Sequence, residues 1–222
     1  MPEVRCVAAR ALGTMRSEDL KHWLLEELKS NCSADKRSGA AEGLAEVVRG
    51  MGLAELDALM YLIIGKAQRT DIPPHELDGS IMTLIYLPSV FKEEFKQYIE
   101  RIIPTILKAL SNYSENVYDT ALRAGQRIIN MYANTDIELL LPKLEFRLFD
   151  DSWRFRKSSI QLLGDLLYRI SGVSDEISTA SACDDDTFGT ESSQQLILSA
   201  LGVDQRNCVL AGLYMGCCDS AP

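Results

Sequence analysis

Histidine is nearly absent from this 222-residue sequence, which has only His22 and His75. Neither lies near a nucleophile in the chain, so no Ser-His-Asp or Cys-His relay can be drawn. The six cysteines, Cys6, Cys32, Cys183, Cys208, Cys217 and Cys218, form no C-x-x-C pair. With so few histidines, this spacing argues against a zinc centre and for reduced thiols packed as small apolar side chains. A glycine-rich phosphate loop is also missing. No apolar run reaches the roughly 18 residues that a membrane span needs, and Pro2-Glu3-Val4-Arg5 does not open a signal peptide. Basic residues are outnumbered, 23 Lys and Arg against 32 Asp and Glu, for a formal charge of -9. A nucleic-acid-coating role for the whole chain is therefore disfavoured, because phosphate affinity comes from clustered cations. Nor does any segment alternate as a strand does.

What is present is repetition. Pro2-Glu3-Val4-Arg5-Cys6-Val7-Ala8-Ala9-Arg10-Ala11-Leu12-Gly13 returns in register as Trp153-Arg154-Phe155-Arg156-Lys157-Ser158-Ser159-Ile160-Gln161-Leu162-Leu163-Gly164. Related strings begin near Lys36, Glu76 and Val117. Anchored on Arg5, Arg37, Leu77, Tyr118 and Arg156, the period is about 32, 40, 41 and 38 residues, the length of a two-helix solenoid unit. Ahead of each anchor runs a second amphipathic stretch: Leu20 to Lys29, Leu53 to Gln68, Phe95 to Leu110 and Ile137 to Phe149. Two of these carry matching prolines, Pro104 and Pro142. The links contain turn and cap residues, such as Asn31 to Asp35, Asp71 to Pro74, Asn112 to Asn116 and Asp150 to Ser152. The expected class is all-α, a right-handed α-solenoid of paired helices.

The array is expected over residues 1–172, in about four and a half units. An acidic loop is expected over 173–193, the start of a further helical repeat over 194–216, with helices at Ser193 to Leu201 and Arg206 to Met215, and an irregular tail over 217–222. Val4, Val7, Ala8 and Leu12 would leave an apolar face uncovered at the first helix, as in a piece of a longer array. Between Ile170 and Gln205 the sequence has seven carboxylates and no Lys or Arg, which leaves the rest of the chain at only -2. The acidity therefore does not argue against a cation-bearing edge on the helices.

The repeat resembles the HEAT repeat, whose second helix reads Asp or Pro, any residue, Val-Arg, two residues, Ala, three residues, Leu-Gly. Longer strings are more specific: Pro2 to Gly13, Arg37 to Val47, Asp119 to Arg127, Phe149 to Arg154, Gln161 to Leu167 and Arg206 to Gly216. In that order they are similar to the general control non-derepressible family of translational activators. The resemblance implies a non-catalytic, cytoplasmic, ribosome-associated scaffold in the amino-acid starvation and ribosome-stalling response. Its partners would be the ribosome, the protein kinase of initiation factor 2 alpha and other proteins of the same pathway, with no cofactor, membrane or small-molecule substrate. No string here matches the family's kinase-docking residues. The chain also departs from the pattern at Glu76-Leu77, where Val-Arg is expected, and after Gly216. The alternative is a generic HEAT adaptor of the transport-receptor or phosphatase-scaffold kind. A HEAT-repeat iron hydroxylase would need several His-Glu pairs, and only His75-Glu76 is present.

The candidate site residues are Arg5, Lys36, Arg37, Arg154, Arg156 and Lys157, near the starts of second-type helices. In one reading they form a structural ladder, bonding to acids and turn carbonyls of neighbouring units; in the other they face the ribosome. Trp153 is either core or an interface aromatic. Asp184-Asp185-Asp186 lacks the glycine and distal glutamate of a calcium loop.

Overall fold

The computed structural model describes residues 2–31, 33–171 and 191–218. Among these residues every regular element is helical and there is no strand, so the chain is all-α. It forms two compact units, one ending at Arg127 and the other beginning at Ile128.

The first unit contains α1 (Pro2–Gly13), α2 (Glu18–Glu27), α3 (Ala34–Met51), α4 (Leu53–Gln68), α5 (Pro74–Phe91), a 3₁₀ segment (Lys92–Tyr98), α6 (Ile99–Leu110) and most of α7 (Glu115–Tyr132). Helix starts fall where the sequence supplies caps. The Leu20 amide donates to Ser17 Oγ at 3.2 Å and the Lys36 amide to Ser33 Oγ at 3.5 Å, while Pro74 opens α5 where a missing N–H costs nothing. Before α7, the Ser114 amide donates to Asn112 Oδ1 at 2.9 Å, an Asx turn.

Helices of the same type stack side by side and parallel. Arg5 of α1 pairs with Glu42 of α3, while Gly13 and Gly50 bring the far ends of those helices together. A Cβ on Gly50 would lie 2.1 Å from the Gly13 carbonyl oxygen, so no side chain fits between these backbones. The first-type helices follow the same rule: Lys21 of α2 bonds Glu55 of α4, and Lys108 of α6 bonds the Gln68 carbonyl at the end of α4. Helix α3 packs against α1, α2, α4 and α5, which is why its small residues Ala40, Ala41, Gly43 and Ala45 are buried together with Leu44, Val47 and Val48. On α1, Ala9 and Gly13 face inward; of the face expected to be uncovered, Val4, Val7 and Ala8 are exposed, whereas Leu12 is half-buried beside Gly43 of α3.

The expected single helix from Phe95 to Leu110 is divided. Lys92 takes a positive φ of 48°, ending α5, and the chain continues as a 3₁₀ turn before α6. The three-residue spacing of Phe95 and Tyr98 suits that tighter turn, and both rings are buried. Pro104 and Pro142 lie inside α6 and within α8 of the second unit, each removing one backbone donor.

The second unit contains the end of α7, α8 (Ile137–Leu148), α9 (Trp153–Ile170) and α10 (Glu191–Cys217). Leu162, Leu163, Leu166 and Ile170 of α9 form the expected buried face, with Leu140, Leu141, Leu144 and Leu148 of α8. The two helices expected after residue 193 are present as one element broken at Gly202, whose φ of 70° and ψ of 179° are not helical. Gly212 lies against Leu148 and Gly216 against Ile160, so α10 packs on both α8 and α9. Residues 173–190 of the acidic stretch lie outside the described residues, and Glu191 to Ser193 belong to α10.

Candidate functional site

The second-type helices of the first unit are joined by a relay of polar side chains. Arg37, at the start of α3, is 4% exposed, and Asp78, at the start of α5, is 1% exposed. Arg37 donates from Nε at 2.9 Å and from Nη2 at 2.6 Å, both to Asp78 Oδ2, and from Nη1 at 2.9 Å to the Ser30 carbonyl. The other carboxylate oxygen, Oδ1, accepts from Thr120 Oγ1 of α7 at 2.5 Å. One aspartate thus joins three successive second-type helices with both of its oxygens satisfied, the condition under which a buried charge is tolerated. The neighbouring Gly79 allows this approach, since a Cβ there would lie 2.0 Å from the Leu28 carbonyl oxygen.

Further pairs repeat the geometry. Arg5 Nε donates to Glu42 Oε2 at 2.7 Å and Nη2 to Tyr86 Oη at 3.5 Å, while Ser38 Oγ and Tyr86 Oη are 2.7 Å apart. Arg127 donates to Ser89 Oγ from Nε and Nη2. Among first-type helices, Tyr98 donates to Asp57; burial, then that bond, pushes the phenol up to about 12. The Lys21 ammonium is held above the usual lysine range by its bonds to Glu18 and then Glu55. The helix-to-helix partners of these bonds lie 34 to 48 residues apart, about one repeat length, except the two-repeat reach from Arg5 to Tyr86.

Not all candidate residues occupy equivalent positions. Arg5 is half-buried on Glu42, Arg37 is committed within the unit, and Lys36 is exposed beside it. In the second unit, the Arg154 guanidinium lies 4.8 Å from the Trp153 ring centroid, with both residues half-buried. Arg156 donates from Nη1 to the carbonyls of Asp150 at 2.8 Å and Asp151 at 2.9 Å, clamping the α8–α9 turn, and Lys157 is exposed. The missing arginine at position 77 is a buried leucine, and the connection there is made by Asp78. Asp78 and Thr120 are the principal residues that motif reading passed over. The signal was available, as an acid 41 residues beyond Arg37 and a hydroxyl 42 beyond that acid.

The α8–α9 turn has its own electrostatics. Asp150 is stabilised by the Ser152 amide at 3.0 Å and Arg147 Nη1 at 2.6 Å. Burial works against its charge, but the amide and then the arginine prevail and hold the carboxyl below the usual range. Arg147 also lies 4.8 Å from the Phe155 ring centroid. Among the described residues, no three His, Cys, Asp or Glu side chains converge as metal ligands, and no helix is long and apolar enough to cross a membrane.

The fold and this ladder define an all-α helical-repeat protein held together by one-repeat polar bonds. No family model matches the chain. It is 55% identical, over 227 aligned residues and 99% of its length, to the mouse and human proteins named Stalled ribosome sensor GCN1. It is 37% identical, over 97% of its length, to the Saccharomyces cerevisiae protein named eIF-2-alpha kinase activator GCN1. In each case the chain spans 8% of the relative's length. The chain belongs to the GCN1 family, matching one segment of much longer proteins.

Proposed function

We propose that this chain is a non-catalytic scaffold segment of a ribosome-associated translational activator, one that promotes phosphorylation of initiation factor 2 alpha when ribosomes stall or amino acids run short. The observation that carries this reading is the 55% identity over nearly the whole chain to proteins named as stalled ribosome sensors. The geometry supports it: Arg5, Arg37 and Arg156, near the helix starts, are spent on neighbouring helices and turns, which stiffens the helical units as a binding scaffold requires. The partners are the ribosome and the kinase of initiation factor 2 alpha, and the compartment is the cytoplasm.

Lys36 and Lys157 are the exposed members of the candidate set and are the positions at which a ribosome-facing role is testable. In this reading the purified chain co-sediments with ribosomes. Lys36→Glu combined with Lys157→Glu weakens that association severalfold while the far-ultraviolet circular dichroism stays unchanged. Failure of the parent chain to co-sediment would overturn the ribosome assignment for this segment.

A further inference from the structure

The second unit contains a groove that the scaffold reading does not use. Pro142, Glu145, Phe146 and Phe149 of α8 and its C-terminal end form one wall, Cys208 of α10 another, and Asp150 and Asp151 of the turn close one end. It is a solvent-open cavity of about 660 Å³, within the roughly 300–1,000 Å³ of typical ligand clefts. Phe146 is 76% exposed and Phe149 52%, so two large apolar rings stand at its rim, with the Arg147 guanidinium 5.5 Å from the Phe146 ring centroid.

The charge of the lining is one-sided, with three carboxylates and no cation. Asp150 is already neutralised by Arg147 and the Ser152 amide. Asp151 is exposed, and its carboxylate makes no hydrogen bond or ion pair among the described residues. Glu145 differs again: its Oε1 is sealed from solvent and has no hydrogen-bond partner. A buried carboxylate oxygen without a donor is destabilised, and this cost is relieved when a donor arrives. Burial also raises the Glu145 carboxyl above the usual glutamate range, and burial followed by Glu145 raises the Cys208 thiol.

We infer that this groove binds a short segment of a partner protein in which a Lys or Arg stands beside an apolar side chain. The cation would sit beside the exposed Asp151 carboxylate and the half-buried Glu145 side chain, which turns to present its unpartnered oxygen, and the apolar side chain would fill the space between Phe146 and Phe149. Nucleic acid is the wrong partner, because its phosphates would meet three carboxylates. The inference rests on the scaffold reading and adds the chemistry of one partner contact to it.

The test uses the full 222-residue chain and fluorescein-labelled octapeptides followed by fluorescence anisotropy. A peptide of alternating lysine and leucine binds, whereas one of alternating lysine and glycine or of glutamate and leucine binds at least tenfold more weakly. Glu145→Gln and Phe146→Ala each weaken binding at least threefold, and Glu145→Gln with Asp151→Asn at least tenfold, with unchanged circular dichroism. Glu18→Gln with Glu27→Gln, on α2, leaves binding as it was and controls for simple attraction to an acidic protein. Equal binding of the lysine–glycine peptide, or parental affinity in the groove variants, would overturn the proposal. Ribosome co-sedimentation is scored separately, so loss of one activity with retention of the other shows which reading has failed.

Discussion

Replacing Arg37 by methionine tests how much of the first unit's stability depends on the relay. The substitution preserves much of the side chain's length but removes the donors to Asp78 and to the Ser30 carbonyl. Asp78 is then a carboxylate at 1% exposure with Thr120 as its remaining donor. Removing one member of a buried pair costs about 3–5 kcal/mol, whereas an exposed ion pair contributes about 0–1 kcal/mol. At about 2–4 °C per kcal/mol for a chain of this size, Arg37→Met lowers Tm by about 6–20 °C. Arg5→Met removes a pair whose arginine side chain is 40% exposed, and it lowers Tm by only a few degrees.

Asp78→Leu leaves the complementary defect, a buried guanidinium with the Ser30 carbonyl as its remaining acceptor. The double variant Arg37→Met with Asp78→Leu buries neither charge, and Thr120 can turn its hydroxyl to a carbonyl of its own helix. Its cost is therefore smaller than the sum of the two single costs by at least about 2 kcal/mol. Urea unfolding followed by circular dichroism measures all four proteins, with constant m-values confirming that stability alone has changed. Single costs below about 1 kcal/mol, or a double variant additive within about 0.5 kcal/mol, would refute the reasoning.

Two glycines give opposite results in thermal melts. Gly79→Ala places a Cβ 2.0 Å from the Leu28 carbonyl oxygen and costs at least about 1–3 kcal/mol, because backbone must move. Gly65→Ala, inside α4 with no neighbouring atom within 4 Å of the new Cβ, gains about 0.5–1 kcal/mol. Two carboxyls of the second unit respond oppositely to pH. The raised pKa of Glu145 means that its contribution is present below about 4.3, the unfolded value, and is lost as pH rises through the higher folded value. Glu145→Gln is therefore more stable than the parent at pH 7, and the difference vanishes in acid. The lowered pKa of Asp150 means that its contribution is present above about 3.9 and is lost as pH falls through the lower folded value. Asp150→Asn is accordingly less stable at pH 7, and its curve meets the parent's only at strongly acid pH.

The repeat makes much of the architecture legible in the sequence alone. A period near 40 residues, set by Arg, small residue, Leu and Gly in register, requires parallel stacking of equivalent helices, and every one-repeat bond in the first unit follows from that requirement. Local interruptions were less legible. Nothing in the run from Phe95 to Leu110 marks the positive φ at Lys92, and residues spaced by three fit a 3₁₀ turn as well as an α-helix. Position 77 misled for a different reason: a motif read residue by residue registers a missing arginine, whereas the packed helices need only a polar atom at the right height. Asp78 supplies it one position later, with Thr120 completing the contact.

The groove was the least legible feature, and its composition explains why. Glu145 and Phe146 lie in an amphipathic stretch where a carboxylate and an adjacent ring read as an ordinary helix border. Their meaning depends on Cys208, more than 60 residues away, and on α10 packing against α8 through Gly212. Periodicity can locate residues that repeat from unit to unit, because stacking requires them. A partner-binding position has no such requirement and breaks the pattern where it serves one contact. In a helical-repeat protein, polar residues that recur at the repeat period therefore report on assembly. Those that do not recur, lack partners and stand beside exposed rings are the first places to look for recognition, as at Glu145 and Asp151 beside Phe146.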